Sequence, residues 1–279
     1  MLDEDACYKA VLGSDRRFDG LFFVGVSTTG IYCRPICPAK KAARKSCTFY
    51  ASAAAAESAG YRPCLRCRPE LAPAVAPYEA RSATVSGIVA RIQEGCLNGG
   101  LDVEDLAASF GLSSRQLRRL VREVTGASPI QLAQTSRLLL AKQLLTDTKL
   151  PVTQIAYASG VSSVRQFNES FSAHYRLPPS RLRQRVGIEA SNGSLTLRLA
   201  YRPPFAWDAL LDFLAGRAIP GVEEVRDGRY RRTVALNGCV GWVEVGRNGD
   251  GNSLVVRASS SLTPALKPLL SRLLDVFYL

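Results

Sequence analysis

Three residues lie between Cys33 and Cys37, two lie between Cys64 and Cys67, and twenty-six separate the pairs. That pattern constrains the chain more than any other feature. Each short spacing lets a pair clamp one edge of a tetrahedron, so the fold must return the chain to close the other edge. Four thiolates with no histidine or carboxylate partner point to zinc, and an iron–sulfur ligand run would be tighter. Cys33, Cys37, Cys64 and Cys67 are therefore the expected Zn2+ ligands. A site of this type is structural by default, so spacing alone leaves its purpose open.

At 279 residues the chain is too long for one compact core and reads as two or three domains. No run of about 18 apolar residues occurs, so no membrane span is expected. The start, Met1 to Asp5, is acidic where a signal peptide would be basic. The eight cysteines then read as thiols and ligands in a reducing cytoplasm rather than as disulfides. Cys7, Cys47, Cys96 and Cys239 lack metal spacing and read as buried or idle thiols.

Net charge is +12, and it is uneven. Residues 31–70 carry 8 basic and 2 acidic side chains, residues 81–185 carry 14 against 7, and residues 186–279 carry 11 against 9. A local basic excess is the footprint of a polyanion, usually nucleic acid. Around the cysteines, Arg34, Lys40, Lys41, Arg44 and Arg66 are the candidate contacts to a DNA backbone.

In the first segment, residues 5–17 can form a helix closing at Asp19 and Gly20. Leu21–Val26 and Cys47–Tyr50 read as strands, and Ser52 can cap a helix over Ala53–Ala59. A Pro/Ala stretch, Leu71–Pro77, marks a boundary, which gives a small α/β zinc domain over residues 1–76.

Residues 82–185 turn helical and contain a repeat: Val103–Ser114 recurs as Val152–Ser163, with Gly111 and Gly160 at matching positions. Each copy is a short helix, a glycine turn, a serine cap and a second helix, which is helix-turn-helix geometry. Leu106, Ala107, Leu112, Leu117 and Val121 form one expected core; Ile155, Ala156, Val161, Phe167 and Phe171 form the other. The second helices present Arg115, Gln116, Arg118 and Arg119 in one copy and Arg165, Gln166 and Asn168 in the other. Arg pairs with guanine edges and Gln or Asn with adenine edges, so double-stranded DNA is the expected partner. Between the copies Ser128 caps a helix that starts at Pro129 and runs through Leu145. After a polar linker at 186–192, Ser194–Ala200, Tyr230–Leu236, Gly241–Val245 and Ser253–Ala258 read as strands. Asn237-Gly238 and Asn248-Gly249 read as turns, and helices are expected over Trp207–Leu214 and Leu266–Phe277. Residues 193–279 thus form an α+β antiparallel-sheet domain with no evident catalytic cluster. The whole is multidomain.

Phe18–Val24, Thr29–Pro35 and Tyr61–Pro69 resemble the zinc domain of the bacterial adaptive-response (Ada-type) methyltransferases. Residues 82–185 are similar to the AraC-type double helix-turn-helix that usually follows it. Residues 193–279 resemble the N-terminal domain of AlkA-type 3-methyladenine DNA glycosylases, notably at Tyr201–Trp207 and Phe213–Ala218. The resemblance implies that Cys33 accepts a methyl group from a methylated DNA phosphate while Cys37, Cys64 and Cys67 hold the metal. It also implies a damage-activated regulator that binds promoter DNA and works with RNA polymerase. The Pro-Cys-His-Arg site of the family's second methyltransferase domain is not in the sequence, and His174 has no neighbouring cysteine. Repair of methylated guanine by that route, and glycosylase chemistry from these residues alone, are not expected. Two alternatives stand beside this reading: a transcription regulator whose zinc is only structural, and the non-catalytic N-terminal part of a glycosylase.

Overall fold

The computed structural model describes residues 3–73, 83–98, 101–184, 193–249 and 252–277. Most of the two linkers, 74–77 and 186–192, and the far end of the Asn248-Gly249 turn lie outside the described residues.

The first segment opens with α1 (Glu4–Gly13), whose N-terminus is capped by the Asp3 carboxylate. The helix expected to reach Arg17 stops at Ser14, which takes the left-handed conformation (φ 48°) and donates its N–H back to the last turn. A single 3₁₀ turn, Arg16–Phe18, follows under an Asp15 cap. Strands β1 (Phe23–Val26), β2 (Ile31–Cys33), β3 (Cys47–Tyr50) and β4 (Arg62–Pro63) form a sheet in the order β3-β1-β2-β4. Helix α2 (Ala53–Ser58), capped by Ser52, joins β3 to β4. The pairing of β2 with β4 is parallel, Ile31 to Arg62 and Tyr32 to Pro63. Both strands therefore leave the sheet in the same direction, and the N–H of Cys64 donates to the carbonyl of Tyr32 at 3.0 Å. This register brings the two cysteine pairs together.

The helical segment comprises α3 (Ala83–Glu94), α4 (Val103–Ser109), α5 (Ser114–Thr125), α6 (Pro129–Asp147), α7 (Val152–Ala158), α8 (Val164–Tyr175) and α9 (Pro179–Gln184). α4–α5 and α7–α8 are the two helix-turn-helix units, and both turns place a glycine at positive φ, Gly111 at 67° and Gly160 at 81°. α6 has 19 residues and separates the units.

The last segment runs β5 (Ser194–Ala200), α10 (Trp207–Ala215), β6 (Glu223–Arg226), β7 (Arg229–Leu236), β8 (Cys239–Arg247), β9 (Ser253–Ser259) and α11 (Leu266–Phe277). Its sheet is antiparallel throughout, in the order β5-β9-β8-β7-β6. Asn237 (φ 50°) and Gly238 (φ 77°) turn β7 into β8 as a tight two-residue hairpin. β6 has no counterpart in the sequence reading. Three of its four residues are charged, so it shows no apolar alternation, and it forms as an edge strand through its pairing with β7.

Apolar burial groups the segments unevenly. One continuous core joins the second half of α6, the second helix-turn-helix unit and the last segment, with Leu144, Phe167, Phe171, Trp207, Val256 and Phe277 at its centre. A second core holds Leu106, Leu117 and Val121 of the first unit with Ile88 and Ile92 of α3. Leu112 and Val161, expected in the unit cores, pack at the margins. None of the described helices is long and apolar enough to cross a membrane.

Candidate metal centre

Cys33 ends β2, Cys37 lies in the loop after it, and Cys64 and Cys67 lie in the turn after β4. Their four sulfurs all fall within 4.8 Å of one another. A tetrahedral zinc–thiolate site with ~2.3 Å bonds needs edges of ~3.8 Å, so the set fits that ion with small adjustments. Cys37, Cys64 and Cys67 are buried at 6–7% exposure, whereas Cys33 is partly exposed. Crowding also couples their protons. Donating to the sulfurs of Cys37, Cys64 and Cys67 pushes the Cys33 thiol up, and accepting from Cys33 pulls Cys37 down to about 7 and Cys64 lower still. Four sulfurs that share protons in this way are ready to exchange them for a divalent cation.

Backbone donors then distinguish the four sulfurs. The N–H of Arg34 donates to Cys67 Sγ at 3.4 Å. Backbone bonds from Ala39 and Cys67 stabilise the Cys37 and Cys64 thiolates. All three go to sulfurs other than Cys33.

The basic side chains expected to face DNA divide into three kinds. Lys40 and Arg66 are exposed near the cysteines. Lys41 is half-buried and donates to Ser14 Oγ (2.8 Å) and the Cys37 carbonyl (2.7 Å). Arg44 is held by Glu4 at 2.7 Å and lies over the Tyr8 and Phe49 rings. Arg34 corrects the sequence reading outright. It is only 6% exposed and makes a bidentate ion pair with buried Asp19, because a guanidinium leaving the end of β2 turns into the protein rather than out of it. On the helix-turn-helix units Arg115, Gln116, Arg118, Arg119, Arg165, Gln166 and Asn168 are all exposed. Gln116 also closes a capping box with Ser113 at the start of α5.

Sequence reasoning missed a polar seam that ties the cysteine segment to the helices. Arg68, one residue past Cys67, pairs with Glu70 at 2.8 Å and with Asp147 of α6 at 2.7 Å. Glu70 also holds Lys142 of α6, both side chains being 1% exposed. On the other side of the site, Glu57 of α2 accepts from Tyr32 Oη at 2.7 Å and from Thr135 of α6. His174 of α8 lies 3.1 Å from the same carboxylate but is poorly aimed for a hydrogen bond. Burial lowers the pKa of Lys142 and raises that of Asp147, as expected of ions taken out of water. In the sequence these residues sit in ordinary helical and turn positions. Only the anomaly of a lysine within the apolar run after Leu138 signals them.

Residues 6–70 match the metal binding domain of Ada, residues 106–185 a helix-turn-helix domain, and residues 196–279 the AlkA N-terminal domain. The chain carries an Ada-type metal-binding domain. A probable bifunctional transcriptional activator/DNA repair enzyme AlkA of Mycobacterium tuberculosis is 42% identical over 94% of this chain and 50% of its own length. The bifunctional transcriptional activator/DNA repair enzyme Ada of Escherichia coli is 34% identical over 56% of this chain and 43% of its own. The crystal structure of a methylated N-Ada/DNA complex aligns at 34% identity, covering 49% of this chain and 98% of that one, with a TM-score of 0.25. The chain thus spans about half the length, or less, of these curated relatives. The cysteine cluster of the Ada-type domain is the Zn2+ site, and the helices that follow it are an AraC-type helix-turn-helix domain.

Proposed function

We propose that the chain removes the methyl group from methylphosphotriesters in double-stranded DNA by transferring it to Cys33. We further propose that this event is coupled to promoter binding by the helix-turn-helix units and to activation of transcription by RNA polymerase. The observation that carries the acceptor assignment is the asymmetry among the four sulfurs. Cys33 is partly exposed, while Cys37, Cys64 and Cys67 are buried; Cys67 accepts a backbone N–H, and backbone N–H groups lower the pKa of Cys37 and Cys64. Backbone hydrogen bonding and burial both reduce the reach of a thiolate toward an electrophile, so the sulfur with most access and fewest backbone donors is the nucleophile.

Cys33, Cys37, Cys64 and Cys67 would hold zinc, which keeps all four sulfurs deprotonated near neutral pH. Cys33 Sγ attacks the methyl carbon in line with the ester oxygen. The S–C bond forms as the C–O bond breaks, and the electron pair leaves on the phosphate as an ordinary diester anion. No proton moves, so no general base is required. The thioether product has no route back to a thiolate, and each chain turns over once. Exposed Lys40 and Arg66 supply positive charge beside the approaching backbone. Methylation also takes one negative charge from the centre. At ~5 Å and an effective dielectric near 20 that is roughly 3 kcal/mol of repulsion toward a phosphate before screening by solvent and salt.

Intact and peptide mass spectrometry after incubation with methylphosphotriester DNA tests the assignment. One added methyl per chain, mapped to Cys33 and abolished in Cys33→Ser, is expected. No added methyl on a zinc-loaded chain would leave a DNA-binding regulator with a structural metal.

A further inference from the structure

Four cysteines of identical chemistry meet in this centre, and something must decide which one reacts. Arg34 joins the three stretches that surround it. Its Nε and Nη2 hold both carboxylate oxygens of Asp19, with the Nε bond at 2.8 Å. Nη1 donates to the carbonyls of Cys67 (3.1 Å) and Arg68 (3.4 Å), and its main-chain N–H donates to Cys67 Sγ. Asp19 is 3% exposed, and its own carbonyl accepts from Arg202 of the last segment at 3.3 Å. The adjoining Gly20 has φ 81° and lies so close to the Pro73 carbonyl that a Cβ there would stand 2.0 Å from its oxygen. The backbone that carries the carboxylate is therefore held in place, and the guanidinium is held by the carboxylate.

We propose that Asp19 and Arg34 are positioning residues that select Cys33 as the methyl acceptor. Cys33 and Arg34 are consecutive, so turning the guanidinium inward to Asp19 leaves the preceding side chain at the outer edge of the cluster. The same guanidinium pins the Cys67–Arg68 carbonyls, and Arg68 there takes the left-handed conformation at φ 54°. Cys67 is thereby drawn under the site, where it accepts the Arg34 N–H. Without the pair, the Cys67 turn keeps only its tie through the Arg68 side chain to Glu70 and Asp147, and the two sulfurs approach equal access. This rests on the assignment of Cys33 under the proposed function.

The test uses methyl iodide as a small methyl donor on the zinc-loaded full chain. Sulfur attacks carbon and iodide leaves, so the acceptor is read without DNA. The variants are Arg34→Lys, which keeps the charge but loses the bidentate fork, and the uncharged pair Asp19→Asn with Arg34→Met. Zinc content and the rate of zinc release to a chelator are measured alongside peptide mapping of the methyl group. In the unaltered chain the methyl is expected on Cys33. In both variants a share comparable to that of Cys33 is expected on Cys67, and zinc release is expected to quicken about tenfold or more as the turn loosens. If the double variant fails to fold, Arg34→Lys decides alone. Methyl confined to Cys33 at the unaltered rate, in a variant that retains zinc, would overturn the proposal. Absence of uptake from methylphosphotriester DNA, with methyl iodide still marking Cys33, would instead remove the proposed function and leave the selection intact.

Discussion

The two helix-turn-helix units share a sequence pattern but are stabilised by different means. In the first, α4 opens with a capping box between Asp102 and Asp105, α5 opens with another between Ser113 and Gln116, and α5 closes on Gly126 at φ 72°. In the second, α7 starts after Pro151 with no side-chain cap, α8 has a Ser163 cap on the Gln166 N–H but no capping box, and α8 ends on Arg176, a non-glycine residue at φ 51°. What the second unit lacks in local signals it gains in burial. Phe167, Phe171 and Tyr175 belong to the core that continues into the last segment, whereas the first unit packs on α3. Local caps contribute about 1 kcal/mol each, and a buried aromatic contributes several times that. The first unit is therefore specified mainly by its own sequence and the second mainly by its neighbours.

The largest expected effect follows from that shared core. Phe171→Ala, at a site with 0% exposure, should lose about 3–5 kcal/mol and weaken the last segment together with the second unit. Both tryptophans, Trp207 and Trp242, lie in the last segment, so fluorescence excited selectively at tryptophan follows that segment. In a urea titration Phe171→Ala should lower the fluorescence midpoint. Leu117→Ala, also at a site with 0% exposure, should lose about 2–5 kcal/mol from the helical signal and leave the fluorescence midpoint nearly in place. Equal shifts of the tryptophan signal in both variants would mean that the two units do not differ in the way their cores suggest.

The last segment also touches the first unit's side of the molecule, and there the contact is a poor one. Lys267 at the start of α11 is buried, its Nζ has no hydrogen-bond partner, and burial pushes its pKa down to about 8. The groups facing it are Arg137 of α6, which pushes in the same direction, and the Cys96 thiol after α3, which opposes it. The folded chain therefore binds this proton less readily than the unfolded one, for which the ordinary value is 10.5. Stability should rise as pH climbs from about 8 towards 10.5, and below pH 8 the full destabilisation is present. Lys267→Met should stabilise the protein at pH 7 by on the order of 2–3 kcal/mol and flatten that rise. Denaturant midpoints compared at pH 7 and pH 10 check it. An unchanged pH dependence would show that Lys267 reaches water.

Much of this was legible in the chain. The cysteine spacing announced the metal cluster because ligand geometry depends on a few residues close together in sequence. The repeat announced both helix-turn-helix units because their glycine turns and apolar positions recur. What stayed hidden depends on residues far apart. Arg34 reads as one more base in a basic stretch, and only the packing of residue 19 behind residue 34 turns it inward. Lys142, Glu70, Arg68 and Asp147 find one another only once α6 lies beneath the cysteine turn. The β6 edge strand was missed because pairing, not pattern, creates it.

The smallest effects concern DNA, and they separate the units by charge rather than by core. The second helix of the first unit, α5, carries Arg115, Arg118, Arg119 and Arg122, with Arg118 and Arg119 only loosely paired at 3.4 and 3.8 Å to exposed carboxylates. Its counterpart α8 carries Arg165, held by Glu169 at 2.9 Å, and its last turn places His174 3.1 Å from the Glu57 carboxylate. If the first unit supplies most of the phosphate contacts, replacing Arg115, Arg118 and Arg119 by alanine should flatten the salt dependence of DNA binding by up to about 3 in log–log slope, and Arg165→Ala by about 1 at most. Each contact is individually weak, so the slope is a better reading than affinity at a single salt concentration. Equal slopes would place the units on the DNA as equals. A larger effect from Arg165→Ala would mean that the unit packed against the last segment leads, and that the caps and free charge of the first unit serve its folding rather than its grip.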